Sequence, residues 1–138
     1  MENRFLYRGK RSDNGEWVEG FLFMVNDVPY ILPHHKTGQP IHADNLLKTV
    51  VEVLEDTICQ CTGLKDKNGK LIWENDILSG HIDVEFPEDE TRERVVWHEN
   101  GWCTSEPGYD DYEELDDFDS ENFAVIGNKI DNPELLEV

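Results

Sequence analysis

Residues 59–78, Cys-Gln-Cys-Thr-Gly-Leu-Lys-Asp-Lys-Asn-Gly-Lys-Leu-Ile-Trp-Glu-Asn-Asp-Ile-Leu, constrain the chain more than any other stretch. Two apolar, strand-like runs flank the polar loop 65–70. Within the loop, Asp66-Lys67-Asn68-Gly69 is a tight-turn sequence: Asp at the first position bonds the backbone ahead of it, and Gly at the last accepts a positive φ without steric cost. The spacing predicts a β-hairpin, and a hairpin needs further strands to cover its apolar face.

Those strands are legible. Ser12-Asp13-Asn14-Gly15 and His98-Glu99-Asn100-Gly101 are turns of the same kind, each between short apolar segments. Phe5 and Tyr7 alternate with polar neighbours before the first turn, and residues 17–23 return after it. Tyr30-Ile31-Leu32 is bounded by Pro29 and Pro33, which suit an edge strand or strand ends. Residues 50–54 are β-branched, Ile82, Val84 and Phe86 alternate, residues 94–97 and 102–104 flank the third turn, and residues 123–130 read as a last strand with Gly127 permitting a bulge. This rhythm predicts a mostly β protein, a small barrel or sandwich with SH3-like character around the central hairpin and an N-terminal β-hairpin extension. At 138 residues the chain is expected to form one domain, with an N-terminal β part over 1–56 and a barrel-like part over 57–138. Asn132 before Pro133 predicts a short C-terminal helix capped by Asn.

Composition matters because the charge is lopsided: 31 Asp and Glu against 12 Lys and Arg give a net charge of −19. Direct nucleic-acid binding is disfavoured, since affinity for phosphates comes mainly from Lys and Arg. The carboxylates crowd into residues 106–121, where Tyr109, Tyr112, Leu115 and Phe118 recur every three residues; the pattern predicts a short acidic helix or 3₁₀ segment with one apolar stripe and outward carboxylates. Asp110, Asp111, Glu113, Glu114, Asp116, Asp117 and Asp119 are therefore the candidate partner-binding residues. On a helix they would approach the charge density of duplex DNA, so an acidic DNA mimic that inhibits a host defence or DNA-handling protein is an alternative to an ordinary protein-binding surface.

Other constellations have structural readings. Cys59, Cys61 and Cys103 are zinc-ligand types, but the C-x-C spacing simply puts two strand cysteines on one face. An odd number of thiols fits a reducing compartment. His34, His35 and His42 could mark the site of a hydrolase or small-molecule-binding enzyme near the His34 loop. Glu74-Asn75-Asp76 is explained by a turn in which Asp and Asn bond local backbone. No GxGxxG, P-loop, GxSxG or HExxH motif occurs, and no cofactor is expected. No apolar run reaches membrane-span length, and the first residues lack the apolar core of a signal peptide, so the expected location is the cytoplasm.

The run from Gln60 through Thr62-Gly63-Leu64-Lys65-Asp66-Lys67-Asn68-Gly69 to Ile72-Trp73-Glu74-Asn75-Asp76-Ile77 resembles the signature of the YopX family of phage and prophage proteins. Trp17-Val18-Glu19-Gly20, Val125-Ile126-Gly127-Asn128 and Asn132-Pro133-Glu134-Leu135-Leu136 fall where that family has similar segments. Two positions depart from it: Cys61 stands where an aromatic is usual, and Asn75 where the family has Gly. Asn is the non-glycine residue that best tolerates a left-handed backbone, which predicts φ > 0 at Asn75. The resemblance implies a phage-encoded accessory protein of the host cytoplasm, without enzymatic activity, that contacts proteins or forms homo-oligomers. It also makes Thr62, Gly63, Leu64, Asp66, Gly69, Glu74, Asn75, Asp76, Gly127 and Asn128 the structural motif.

Overall fold

A computed structural model describes residues 3–34, 49–82, 85–86 and 88–137. The protein is mostly β, built from antiparallel sheets that form no closed barrel among the described residues, and the chain divides into two compact units, Met1–Cys61 and Thr62–Val138.

In the first unit β1 (Tyr7–Lys10), β2 (Trp17–Val25), β3 (Val28–Pro33) and β4 (Val51–Glu52) pair in the order β4-β3-β2-β1. The start of β5 (Cys59–Lys65) adds to β1 through Tyr7↔Gln60 and Arg8↔Cys59. The Ser12–Gly15 sequence makes the expected turn: the Gly15 N–H donates to the Arg11 carbonyl at 2.9 Å, and Gly15 has φ 74°. Tyr30-Ile31-Leu32 is not at the edge, because the short β4 pairs outside it at Tyr30↔Glu52 and Ile31↔Val51. β2 and β3 are joined through Asn26 and Asp27, both left-handed (φ 50° and 66°), the two-residue connection whose twist matches paired strands. Gly20 is required where it stands, since a Cβ would collide with the Leu32 carbonyl. Leu6, Ile31, Val53, Cys59 and Cys61 form the buried apolar set of this unit.

In the second unit the rest of β5 pairs with β6 (Leu71–Trp73), which confirms the central hairpin. A five-stranded antiparallel sheet runs β10-β9-β8-β7-β11, from β7 (Asp76–Gly80), β8 (Thr91–His98), β9 (Gly101–Ser105), β10 (Glu113–Glu114) and β11 (Phe123–Asn128). Its register slips between Val125 and Gly127, the bulge that the glycine permits. Ile72, Leu78, Val95, Leu115 and Phe123 make the core, with Leu64, Trp102 and Val125 packed against it.

Three expectations change. His81, Ile82, Glu85 and Phe86 are not in a strand; Ile82 and Phe86 are exposed, and residues 83, 84 and 87 lie outside the described part. The acidic segment is not one helix with an apolar stripe: α1 covers only Asp117–Asn122, β10 precedes it, and Leu115 alone of the four stripe residues is buried. Each neighbour resolves the segment differently, because the Leu115 N–H is taken by the Trp102 carbonyl at 3.0 Å while Asp116 caps α1. The C-terminal turn, Pro133–Leu136, is a 3₁₀ helix, and the Asn132 side chain does not cap it; its Oδ1 accepts from the Asn128 N–H at 3.2 Å instead.

Candidate functional site

The motif residues form a hydrogen-bonded frame within the second unit. Thr62 Oγ1 donates to the Ile72 carbonyl at 2.7 Å and accepts from the Leu64 N–H at 3.1 Å, locking β5 to β6. Gly63 and Gly69 take left-handed φ of 85° and 81°. Asp66 is 5% exposed and accepts three backbone N–H groups: Asn68 and Lys70 on Oδ1, both at 2.9 Å, and Val125 on Oδ2 at 2.8 Å. Burial alone would raise its pKa, but the N–H groups of Val125, Lys70 and Asn68 outweigh burial and hold the carboxyl below its ordinary value.

At the far end of β6, Asp76 Oδ2 accepts the Trp73 N–H at 2.8 Å, so Asp76 is buried as a turn-closing acceptor. Asn75 has φ 70°, the left-handed backbone expected of it. Its N–H donates to the Val95 carbonyl and its carbonyl accepts from the Lys129 N–H, both at 2.8 Å. Glu74 is half-buried in the same bend. Asn128 Oδ1 gathers the N–H groups of Ile130 and Asp131 at 3.0 and 2.8 Å, and at Gly127 a Cβ would press on Asn132 Oδ1.

The candidate partner-binding residues separate into two groups. Asp110, Asp111, Glu113, Glu114, Asp116 and Asp117 are exposed. Asp119 is 6% exposed and turned inward: its Oδ2 accepts the Asp116 N–H at 3.1 Å in a reciprocal capping box, in which Asp116 Oδ1 accepts from Phe118 and Asp119. Asp119 also faces Glu93 on β8. Glu93 is 4% exposed, and burial first, then the Asp119 carboxyl and the charges of Glu106 and Glu113, push its pKa up to about 8. Its Oε2 has no hydrogen-bond partner among the described residues, which adds to the cost of a charge there. Sequence reasoning missed Glu93; the one signal available was a glutamate at a position whose neighbours at i+2 and i−2 alternate into the sheet. Of the seven candidates only Asp117 and Asp119 lie on the helix, and Asp119 is buried, so these seven do not adopt the helical charge spacing of a DNA mimic.

Between the β8–β9 turn and β10 lies an open groove of about 600 Å³. Leu64, Trp102 and Leu115 line it, with the His98 and Tyr112 rings stacked 3.9 Å apart at 4° and the carboxylates of Glu99 and Glu114 beside them. Cys103 also lines it, half-buried; burial raises its thiol pKa, helped by Glu114 and Glu99. A smaller recess of about 90 Å³ is bordered by Glu93, Thr104, Glu106, Tyr109, Asp111 and Glu113. Among the described residues no group of three or more His, Cys, Asp or Glu is placed to hold a metal ion. His34 Nε2 sits 3.4 Å from Glu19 Oε2, and the rest of its loop, residues 35–48 with His35 and His42, lies outside the described part.

A family model described as YopX protein matches residues 6–137. The chain belongs to the YopX family. That family is not a known enzyme family. The crystal structure of protein EF1440 from Enterococcus faecalis is similar at 26% sequence identity and a TM-score of 0.53, over 95% of this chain and 96% of that one. No curated protein matches. Among the described residues no helix is long and apolar enough to cross a membrane. The YopX signature thus coincides with the residues that close both ends of the β5–β6 hairpin, and its single Gly-to-Asn departure falls on the left-handed Asn75.

Proposed function

We propose that this YopX protein is a phage-type accessory protein of the host cytoplasm that works by holding a protein partner, without turnover and without touching nucleic acid directly. The observation that carries this reading is the set Asp110, Asp111, Glu113, Glu114, Asp116 and Asp117, all exposed within eight residues and anchored at Leu115 and at the Asp116–Asp119 capping box. Fixed carboxylates steer a basic partner at long range, and a net charge of −19 strengthens the field. The test is affinity capture from host cells at low and high salt, with a variant in which these six become Asn or Gln run in parallel. Capture that depends on the six side chains and fades as salt rises supports the reading. Capture that is indifferent to both defeats it.

Homo-oligomerisation would use a different surface. Phe21, Phe23, Met24 and Val25 of β2 are all exposed, and the stretch from Phe21 to Pro33 contains one charged residue, Asp27. Such an apolar arm is where two strongly negative chains can approach without opposing carboxylates. Sedimentation of the chain beside F23S/M24S tests it: an unchanged mass for both removes this reading.

A further inference from the structure

The groove between the β8–β9 turn and β10 combines three properties that select one kind of occupant. Its floor is apolar and aromatic, from Leu64, Trp102 and Leu115. Its rim is a flat ring surface, the His98–Tyr112 stack. Its carboxylates are Glu99, 80% exposed with its Oε1 3.8 Å from the His98 Nε2, and Glu114, with no Lys or Arg among the lining residues. The groove is also open and broad, unlike the enclosed cavities that bury small molecules.

An apolar side chain would fill the floor and leave Glu114 uncompensated and Glu99 with only the His98 ring beside it. A small anion is repelled. A second copy of the chain arrives with its own net charge of −19. A lysine or arginine matches every part: the methylene stem lies along Trp102 and Leu115, the head reaches Glu99 and Glu114, and ring faces attract a cation within about 6 Å of their centroids.

We infer that this groove is where a partner protein inserts a lysine or arginine side chain from an extended basic segment. The inference rests on the acidic-surface reading above and narrows it: Glu99 and Glu114 give register, while the remaining carboxylates supply attraction at a distance.

The experiment titrates the full-length, ¹⁵N-labelled chain with the blocked peptide acetyl-Lys-Arg-Lys-amide, and with the same peptide in which acetyl-lysine and citrulline replace the charged residues. Expected are saturable shifts at residues 98–103 and 112–115 and at the Trp102 indole with the charged peptide alone. E99Q/E114Q should weaken binding about tenfold, and D110N/D111N/D117N, the same kind of change away from the groove, about twofold. Y112L, which removes the ring stack and keeps bulk, should lie between them. Equal weakening by the two charge variants overturns the groove and leaves the acidic-surface reading standing. Equal binding of the neutral peptide, or shifts at the groove that follow protein concentration without peptide, also overturns the groove. Absence of binding to the wild type at low salt overturns the groove, while the six-residue capture experiment still judges the broader reading. Preserved amide spectra of the variants establish that folding is not the cause.

Discussion

Two carboxyls in the second unit expose almost no surface and meet opposite fates. Asp66, 5% exposed, sits in the hairpin turn with three backbone N–H groups pointing at it and is held below its ordinary pKa. Glu93, 4% exposed, lies on β8 against Asp119 and is pushed up to about 8. Burial disfavours charge at both. Glu93 lies deeper, and the polarity of the surroundings differs as well: donors at Asp66, acceptors at Glu93. In a chain with 31 carboxylates, each one taken inside must either capture backbone donors or keep a proton.

The largest test acts on the donor side. Asp66→Ala removes both acceptor oxygens and leaves the N–H groups of Asn68, Lys70 and Val125 without them, unhooking the hairpin turn from β11. A loss of about 3–5 kcal/mol in denaturant unfolding is expected, because three backbone hydrogen bonds to one charged acceptor are lost together. Asp66→Asn is the sharper probe. Its single carbonyl oxygen can serve one side, but its NH₂ opposes a remaining backbone N–H, so it should recover only part of the loss. Full recovery would mean that shape rather than acceptor number matters in this turn.

Much of the Asp66 region is legible in sequence. The Asp at the turn's first position, the Gly at its last and the Asn75 for Gly exchange are local backbone chemistry, which turn rules capture directly. The Glu93 region is not, because its partner Asp119 is brought in by α1 from a distant part of the sequence, and nothing in Thr-Arg-Glu-Arg-Val announces a buried acid. The acidic segment failed for the same reason: a three-residue repeat of Tyr109, Tyr112, Leu115 and Phe118 fits a helix locally, but pairing of β10 with Cys103 and Thr104 and the stacking of Tyr112 on His98 divide it. The groove followed that division unseen, since Trp102, Glu99 and Glu114 belong to segments whose only sequence signals are a turn and an excess of charge.

The next effect is in pH. Below pH about 4.5 Glu93 carries its proton in both folded and unfolded chains; from there to about 8 only the folded chain retains it. The folded state then binds more protons, so stability falls as pH rises across that window and levels off above it. Asp66 acts in the opposite direction: its contribution is present above the ordinary Asp range and is lost as pH falls through its lowered folded value. Glu93→Gln, whose amide can donate to Asp119 at any pH, should flatten the decline between pH about 4.5 and about 8 by on the order of 3 kcal/mol and leave the acid limb in place. Urea unfolding at pH 3, 5, 7 and 9 measures both limbs, and a decline from pH 5 to 9 that persists in E93Q would place the responsible proton elsewhere.

The smallest effect separates donors from burial. Asp116 also accepts two backbone N–H groups, those of Phe118 and Asp119, but it is exposed, so water can replace what its removal takes away. Asp116→Ala should therefore cost about 1 kcal/mol, the usual worth of an N-cap, against several for Asp66→Ala. Asp116→Asn, which keeps a capping oxygen and removes the charge, should fall within a few tenths of wild type. If the two alanine variants proved equal, solvent would not be what distinguishes these carboxylates. The contrast would then lie in connectivity: Asp66 joins a turn to a strand far along the chain, whereas Asp116 serves only the six-residue helix it begins.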